Sequence, residues 1–480
     1  MHMDARPEFA GNMNTASESR LRAWSTGSEA GYESQSTNIT WCLFLIYYFS
    51  VCDVFLKYIP LGIAVVLRYL PEGILYLLVL ILLWRNLRVR SFPLFWPLAI
   101  CLATMTCSGI LNHSDLIDVL SDFHGFFRFS AFTYLLWRTN ITPQRAGQFI
   151  DGFFRLTVFE LGIGAIELVA GPKVREFFSP GVGWASGQPI PFEYNSLEPG
   201  TWLNGTLANY NNYGLFMTMS LVLALSMYSA RRAPKYLWLA AACLLAVVLS
   251  FSRHSLGLVA LGLAGLFWLN RTRLLTGGNR MRFLRLAAMG AIACVIGVTS
   301  SSVIRSRLIS IVSPDVVQGD PDSNIRLFMS VALTPRFLSS YPFFGQGPVP
   351  ATEGVPVGSD DRSVGPMLKA APELPGWLTF YFADVVWVMI LGLYGCFGLV
   401  GFGLVFWSIA RTASYISRNS PDSDVTAVAQ SCLVAVAIFI AGGFFSLEMI
   451  SRDTIPVFWC LSGIVFSIRQ RVPLVLRKSS

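Results

Sequence analysis

The sequence predicts an all-α polytopic membrane protein with about twelve transmembrane helices and two longer loops on the outer side, the second containing an amphipathic helix. Three observations predict it. Of 480 residues, 54% are hydrophobic and only 13% charged, with a mean hydropathy of +0.55, whereas a water-facing surface needs roughly a quarter of its positions charged. Apolar runs recur that can cross a hydrocarbon core of ~30 Å, which takes about 20 helical residues and fewer where the ends are amphipathic. The runs lack the two-residue alternation of a barrel, which leaves helices as the only way to satisfy backbone amides in lipid. This composition excludes a cytosolic enzyme, a secreted disulfide scaffold and a disordered protein.

In chain order, residues 1–36 are rich in Ser, Glu, Asn and Gly without an apolar run, and are expected to form a loose tail with no cleavable signal peptide. The membrane domain is expected over 37–472, with a short basic tail at 473–480. Its apolar runs are 41–56, 61–84, 93–111, 116–137, 149–170, 213–228, 236–251, 255–269, 286–304, 384–410, 425–445 and 455–468.

The arginines give the orientation. Arg85, Arg88 and Arg90, Arg138 and Arg145, Arg231, Arg232 and Lys235, the cluster from Arg271 to Arg285, Arg411 and Arg418, and Arg469, Arg471, Arg477 and Lys478 all fall on one side in this count. The positive-inside rule makes that side cytoplasmic, with both termini inside. This topology also accounts for the net charge of +8, because the cations are scattered between apolar blocks rather than massed on one face as in a nucleic-acid binder. The nine cysteines lie within apolar segments without CxxC or Cys/His spacing, so neither a disulfide framework nor a zinc site is expected.

Two outer loops are long, at about 171–212 and 305–383, and long loops in compact folds are usually functional. In the second, Asp322 and Ser323 can cap a helix whose Ile325, Phe328, Met329, Ala332 and Leu333 recur at helical spacing until Pro335. No internal repeat signals a solenoid or an inverted-repeat transporter.

Polar groups inside apolar runs are expensive and therefore informative. Asp151 and Arg155, four apart on one helix and followed by Glu160 and Glu167, form either an internal ion pair or part of a proton or substrate pathway. Asp53, Glu72 and Arg128 are equally open. Ser252-Arg253-His254-Ser255 interrupts a continuous apolar run at an outer turn; Arg253 either snorkels to headgroups or offers its planar fork to a phosphate. His254 alone reads as a structural hydrogen-bonder. Arg326, on the predicted outer-loop helix, is a second cation on that side. Asp384 opens the tenth run, as a helix cap or as a carboxylate able to orient or deprotonate a hydroxyl. No Walker loop, HExxH, GxSxG, paired-aspartate sugar-nucleotide motif or ATP-binding domain occurs, so energy must come from the substrate or a gradient.

The order of these features resembles the O-antigen ligase and O-antigen polymerase family. The resemblance rests on Gly205-Thr206-Leu207-Ala208-Asn209-Tyr210-Asn211-Asn212-Tyr213-Gly214 before a span, and on Ser252-Arg253 at an outer turn. It rests also on an arginine-bearing helix ending in Pro342-Phe343-Phe344-Gly345-Gln346-Gly347, and on Asp384 ahead of Gly395 and Gly398. It covers roughly 194–406. It implies an inverting, metal-independent and cofactor-free glycosyltransferase of the bacterial inner membrane, with a periplasmic site and a glycan donor on undecaprenyl pyrophosphate. Arg253 and Arg326 would meet the charge of the departing pyrophosphate, Asp384 would activate the acceptor, and Asn209, His254, Arg305, Arg307, Gly345 and Gly347 would bind substrate. Two departures stand out. Family ligases typically carry His-Asn where this chain has Asp384-Val385, a carboxylate version familiar among polymerases, and an arginine before the Gly205-like glycine is replaced by Thr201-Trp202-Leu203-Asn204.

The leading expectation is therefore a surface-polysaccharide polymerase of O-antigen or exopolysaccharide type. It would work on lipid-linked glycans among membrane lipids, alongside a chain-length regulator and a flippase, with no nucleic-acid partner. A ligase passing glycan to lipid A core or protein is the nearest alternative. A secondary transporter or lipid-glycan flippase using Asp53, Asp151, Arg155 and Glu160 is the alternative of another class.

Overall fold

A computed structural model describes residues 29–56, 58–85, 91–170, 174, 177–178, 183–185, 188–190, 203–207, 210–250, 252–275, 333–348, 385–444, 452 and 454–471. The architecture is helical. In chain order the helices are α1 (Glu29–Leu56), α2 (Leu61–Arg85), α3 (Phe95–Leu111), α4 (Leu116–Phe127), α5 (Ser130–Thr139), α6 (Pro143–Ala170), α7 (Tyr210–Arg231), α8 (Pro234–Ser250), α9 (Arg253–Leu275), α10 (Thr334–Ser340), α11 (Val386–Asn419), α12 (Ser423–Gly442) and α13 (Ile455–Arg469). Two three-residue strands, β1 (Gly183–Ala185) and β2 (Gln188–Ile190), pair antiparallel in the first long loop, a small departure from the all-α expectation.

Among the described residues, four helical stretches are long and apolar enough to cross a membrane: Gly62–Trp84, Tyr210–Arg231, Val386–Asn419 and Ser423–Gly442. Asn38–Cys52, Phe95–Leu111, Pro234–Ser250 and Ile455–Arg469 are shorter apolar helices. The outward faces agree with a lipid surround, since Trp84 is 90% and Trp238 70% exposed, which a water-facing surface rarely carries in such number. The protein is a helical membrane protein. α7 and α12 form its centre, each 78% buried over its apolar window, whereas the α2 window is 17% buried and lies at the edge.

Cations gather at one end of the bundle. There Arg231, at the close of α7, holds Asp424 in the first turn of α12 (Nε to Oδ2 2.9 Å, Nη2 to Oδ2 2.8 Å) and donates to the Tyr236 hydroxyl of α8 at 2.6 Å. Asp422 caps α12 by accepting from the Asp424 and Val425 amides. Arg469 stands 3.8 Å over the Tyr415 ring, and Arg471 donates to the backbone and side-chain oxygens of Asn140, the left-handed residue that ends α5. Partial burial lowers the Arg471 guanidinium from its ordinary value.

Several expectations need correction. The first helix begins at Glu29, inside the segment expected to be a loose tail. The fourth run is interrupted at residues 128–129, between α4 and α5. Asp151 does not pair with Arg155, which is exposed; Asp151 lies 3.7 Å from Arg231 of α7 instead, because tertiary packing brings a better-placed cation than the i,i+4 neighbour. Pro335 sits in the first turn of α10, where its missing amide costs nothing. The ninth run, 286–304, and the helix expected from Asp322 to Leu333 lie outside the described residues, except for Leu333 itself, the N-cap of α10.

The largest departure is the tenth run. It is a helical hairpin, because Gly395 adopts φ 64°, ψ −164° in the middle of α11. The Trp387 and Phe406 ring centroids are 6.1 Å apart, although nineteen residues of straight helix would rise about 28 Å. Val386 likewise lines a small cavity with Phe402, Val405 and Phe406. The limb 386–394 therefore folds back on the limb 396–419, which alone is about 36 Å long and sufficient to span.

Candidate functional site

At the end of the bundle opposite Arg231, three turns meet. The first precedes α7. Gly205, at φ +58°, lets the chain turn so that consecutive amides point one way, and a Cβ there would strike Glu160 and Tyr213. The amides of Asn204 and Gly205 donate to Glu167 Oε2 at 3.1 and 3.2 Å, and that of Thr206 to Glu160 Oε2 at 3.0 Å. The Thr206 hydroxyl bonds Glu160 Oε1 as well as the Ser50 carbonyl of α1, the latter at 2.9 Å. Both glutamates are 0% exposed. Both anchor the Gly205 turn.

The second turn joins α8 to α9. Ser252 caps α9, its Oγ accepting from the Ser255 amide at 3.1 Å while donating to Asn211 Oδ1 at 2.7 Å. The Ser252 and Ser255 hydroxyls lie 2.8 Å apart, and Ser255 Oγ reaches the Asn211 carbonyl at 3.4 Å. Gly214 permits this approach, since a Cβ on it would meet both Ser255 and Ser250. The opening of α7 and the opening of α9 are thus locked together through buried hydroxyls and one amide side chain.

The third turn is the end of α12. His254 Nε2 lies 3.4 Å from where a Cβ on Gly442 would stand. The Trp387 amide, in the first turn of the folded-back limb, donates to the Gly443 carbonyl at 3.4 Å, and its indole donates to the Ile440 carbonyl at 2.7 Å. Two helix N-termini, α9 at Arg253 and α11 just after Asp384, therefore abut the same two glycines. N-terminal amides and the helix dipole favour an anion at such a meeting point.

Of the residues expected to act, Arg253 is the first residue of α9, with its side chain outside the described residues. Asp384, Arg326, Asn209, Arg305 and Arg307 also lie outside them, the chain resuming at Val385, Leu333 and Tyr210. His254 is brought to the meeting point. Gly345 and Gly347 are not. They belong to a loop that docks on the α11 hairpin, where Gln346 and Gly347 donate to the Gly392 and Leu393 carbonyls at 2.8 and 2.9 Å, and Cys396 and Phe397 donate back to Pro342 and Phe343 at 2.9 and 3.2 Å. This ladder supplies the backbone partners that the broken helix lacks.

Glu72 and Arg128, both singled out by sequence, belong to a polar cluster whose other members, His124 and Arg452, were not. Glu72 of α2 is buried among Arg128 (3.5 Å), His124 (3.4 Å) and Arg452 (3.4 Å), and Arg452 also donates to the Arg68 carbonyl and lies 5.0 Å over the Phe49 ring. The signal in the sequence was Arg452 itself, an arginine in the short connection between two apolar runs. Searches against protein-family models and against curated proteins return no match to this chain.

Proposed function

We propose that the chain is a polymerase of a bacterial surface polysaccharide, transferring glycan from undecaprenyl pyrophosphate to a hydroxyl of a second lipid-linked repeat unit. The observation that carries this reading is the convergence of the α9 and α11 N-termini on Gly442 and Gly443. It brings the backbone of Arg253 and the residue following Asp384 to one recessed place, on the side away from the Arg231 end. A departing pyrophosphate needs fixed positive charge in a site poor in water, and Arg253, the helix dipoles and Arg326 would supply it. Asp384 would orient or deprotonate the acceptor.

In this reading the chain crosses the inner membrane about twelve times, with both termini cytoplasmic and the site periplasmic. A chain-length regulator and a flippase of the same pathway are its partners. A ligase using the same donor differs only in its acceptor.

The break at Gly395 favours a second reading, since discontinuous helices line substrate paths in secondary transporters. One experiment separates the readings. Purified protein in liposomes is given lipid-linked oligosaccharide; longer glycans on the lipid carrier mean a polymerase, translocation without bond formation means a carrier, and transfer only when lipid A core is added means a ligase.

A further inference from the structure

Asn270 of α9 and Gln430 of α12 carry buried carboxamides that the proposed chemistry does not use, at 3% and 5% exposure. They bond reciprocally: Asn270 Nδ2 donates to Gln430 Oε1 at 3.1 Å, and Gln430 Nε2 donates to Asn270 Oδ1 at 3.2 Å. Asn270 Nδ2 also donates to the Leu266 carbonyl at 3.1 Å, which holds the side chain against its own helix. From this clasp the two helices run antiparallel towards the site. A Cβ on Gly265 would meet Val434 at 3.3 Å, one on Gly262 would meet Ile438 at 3.4 Å, and one on Gly442 would meet Leu258 at 3.6 Å. Each step from Asn270 towards the start of α9 is thus matched by a similar step from Gln430 towards the end of α12. This seam of glycines and aliphatic side chains fixes little by itself. Lipid is as apolar as the side chains, and a slip by one turn of about 5.4 Å exchanges one apolar neighbour for another. The clasp is different, because a slip there parts two carboxamides inside an apolar bundle, and a buried amide fixes helix register for this reason.

The two halves of the proposed site ride on different pieces. Arg253 opens α9, whose first turn is tied to α7 by the Ser252 and Ser255 hydroxyls on Asn211. The limb that follows Asp384 is tied to α12, through the Trp387 amide on the Gly443 carbonyl and the Trp387 indole on the Ile440 carbonyl. Arg231 and Asp424 also join α7 to α12, but in the first turn of α12 and at 29% exposure, where two long or exposed side chains can follow a small slip. The clasp lies deeper in the bundle. Because α9 is continuous from Arg253 to Leu275, a displacement at Asn270 is carried to Arg253 about 26 Å away. We infer that the Asn270–Gln430 clasp sets the register of α9 on α12 and is a positioning pair for the site, holding Arg253 at its distance from the limb that begins after Asp384.

The donor-binding part of this inference rests on the glycan-transfer reading, whereas two of its three readouts do not. The full chain in lipid nanodiscs carries L258C and G442C, and mild oxidation joins them in the native register, the linked peptides being quantified by mass spectrometry. Asn270→Leu strands the Gln430 carboxamide and lowers the unfolding temperature. Asn270→Leu combined with Gln430→Leu removes both carboxamides, so it unfolds close to the wild-type temperature yet forms the 258–442 disulfide about threefold less or lower, stability being kept while register is lost. The exchanged pair N270Q/Q430N keeps the clasp and recovers the disulfide. With undecaprenyl-pyrophosphate-linked oligosaccharide as donor and no added cysteines, the double-leucine protein raises donor KM about tenfold while the exchanged pair stays within about twofold of wild type, as misplacement of a binding group predicts. A pair that only held the helices together would leave disulfide yield and KM unchanged in protein that remains folded. The inference is overturned if the double-leucine protein forms the disulfide as fully as wild type, if it stays as unstable as N270L, if the exchanged pair loses the disulfide to the same extent, or if donor KM is unchanged once the disulfide is lost. Failure of Arg253→Ala to affect chain growth instead overturns the reading of function, and the disulfide and unfolding results still judge the clasp.

Discussion

Gly345 and Gly395 face each other as reciprocal left-handed residues, each leaving room for the other's segment. A Cβ on Gly345 would enter the Leu393 carbonyl and the Tyr394 amide, and a Cβ on Gly395 would enter the Phe343 carbonyl and the Phe344 amide. Their φ values are +69° and +64°. The hairpin in α11 and the loop that closes it are therefore one device. The backbone groups freed by the turn at Gly395 are satisfied by the 342–347 segment, with Ser108 adding a bond to the Leu393 carbonyl at 2.8 Å.

Gly345→Ala and Gly395→Ala should each destabilise the protein by at least about 2 kcal/mol, combining left-handed strain with a clash against backbone that cannot move aside. Gly403→Ala is the matched control. It lies in the same helix with nothing within 4 Å of the added Cβ, and should be neutral or slightly stabilising. Thermal unfolding in detergent checks all three, and a G395A protein as stable as wild type would mean that α11 does not fold back.

Removing the carboxylate that several cations share should be costly. Glu72→Ala leaves Arg128, His124 and Arg452 without the group they surround, and the loss should be about 3 kcal/mol or more because the cluster is buried. Arg452→Ala also unties the segment before α13 from α2. Loss of folded protein on size-exclusion chromatography, or a lowered unfolding temperature, is the measurement; an unchanged unfolding temperature in E72A would show that the cluster holds nothing together.

At the opposite end the two carboxylates near Arg231 should not be equal. Asp424 receives two guanidinium nitrogens within 2.9 Å at 29% exposure, whereas Asp151 is 3.7 Å away at 46% exposure. Asp424→Asn should cost about 1–2 kcal/mol and Asp151→Asn under about 0.5 kcal/mol. A double-mutant cycle with Arg231→Gln isolates the pair, and equal couplings for both aspartates would contradict the geometry.

What the sequence made legible followed from solvent. Apolar runs identified a helical membrane protein, and the polar residues that interrupt them identified the turn at Ser252, because both report on what lipid and water tolerate locally. The fold-back at Gly395 was hidden, since its two limbs read as one apolar run and only the partner loop 342–347 decides that the glycine bends. The role of Glu160 was hidden for the same reason. The amide it serves lies 46 residues away, in a turn whose direction depends on one positive φ at Gly205.

Arg253 offers the sharpest test of the chemistry. It opens α9 under the Ser252 cap, beside the Gly442 end of α12 and near the start of the folded-back limb. A guanidinium holds two phosphate oxygens in one plane, whereas an ammonium is a point charge on a flexible stem. Arg253→Lys should therefore retain part of the activity with a raised donor KM, and Arg253→Ala should lose about a hundredfold or more in chain growth, the scale of deleting one preorganised transition-state contact. Asp384→Asn should behave differently, lowering kcat at nearly unchanged donor KM, because a group acting on the acceptor hydroxyl contributes to the chemical step. Polymer length on the lipid carrier, resolved by gel electrophoresis at matched membrane expression, measures these effects. Full-length polymer from both R253A and D384N would place the reacting groups elsewhere in the bundle.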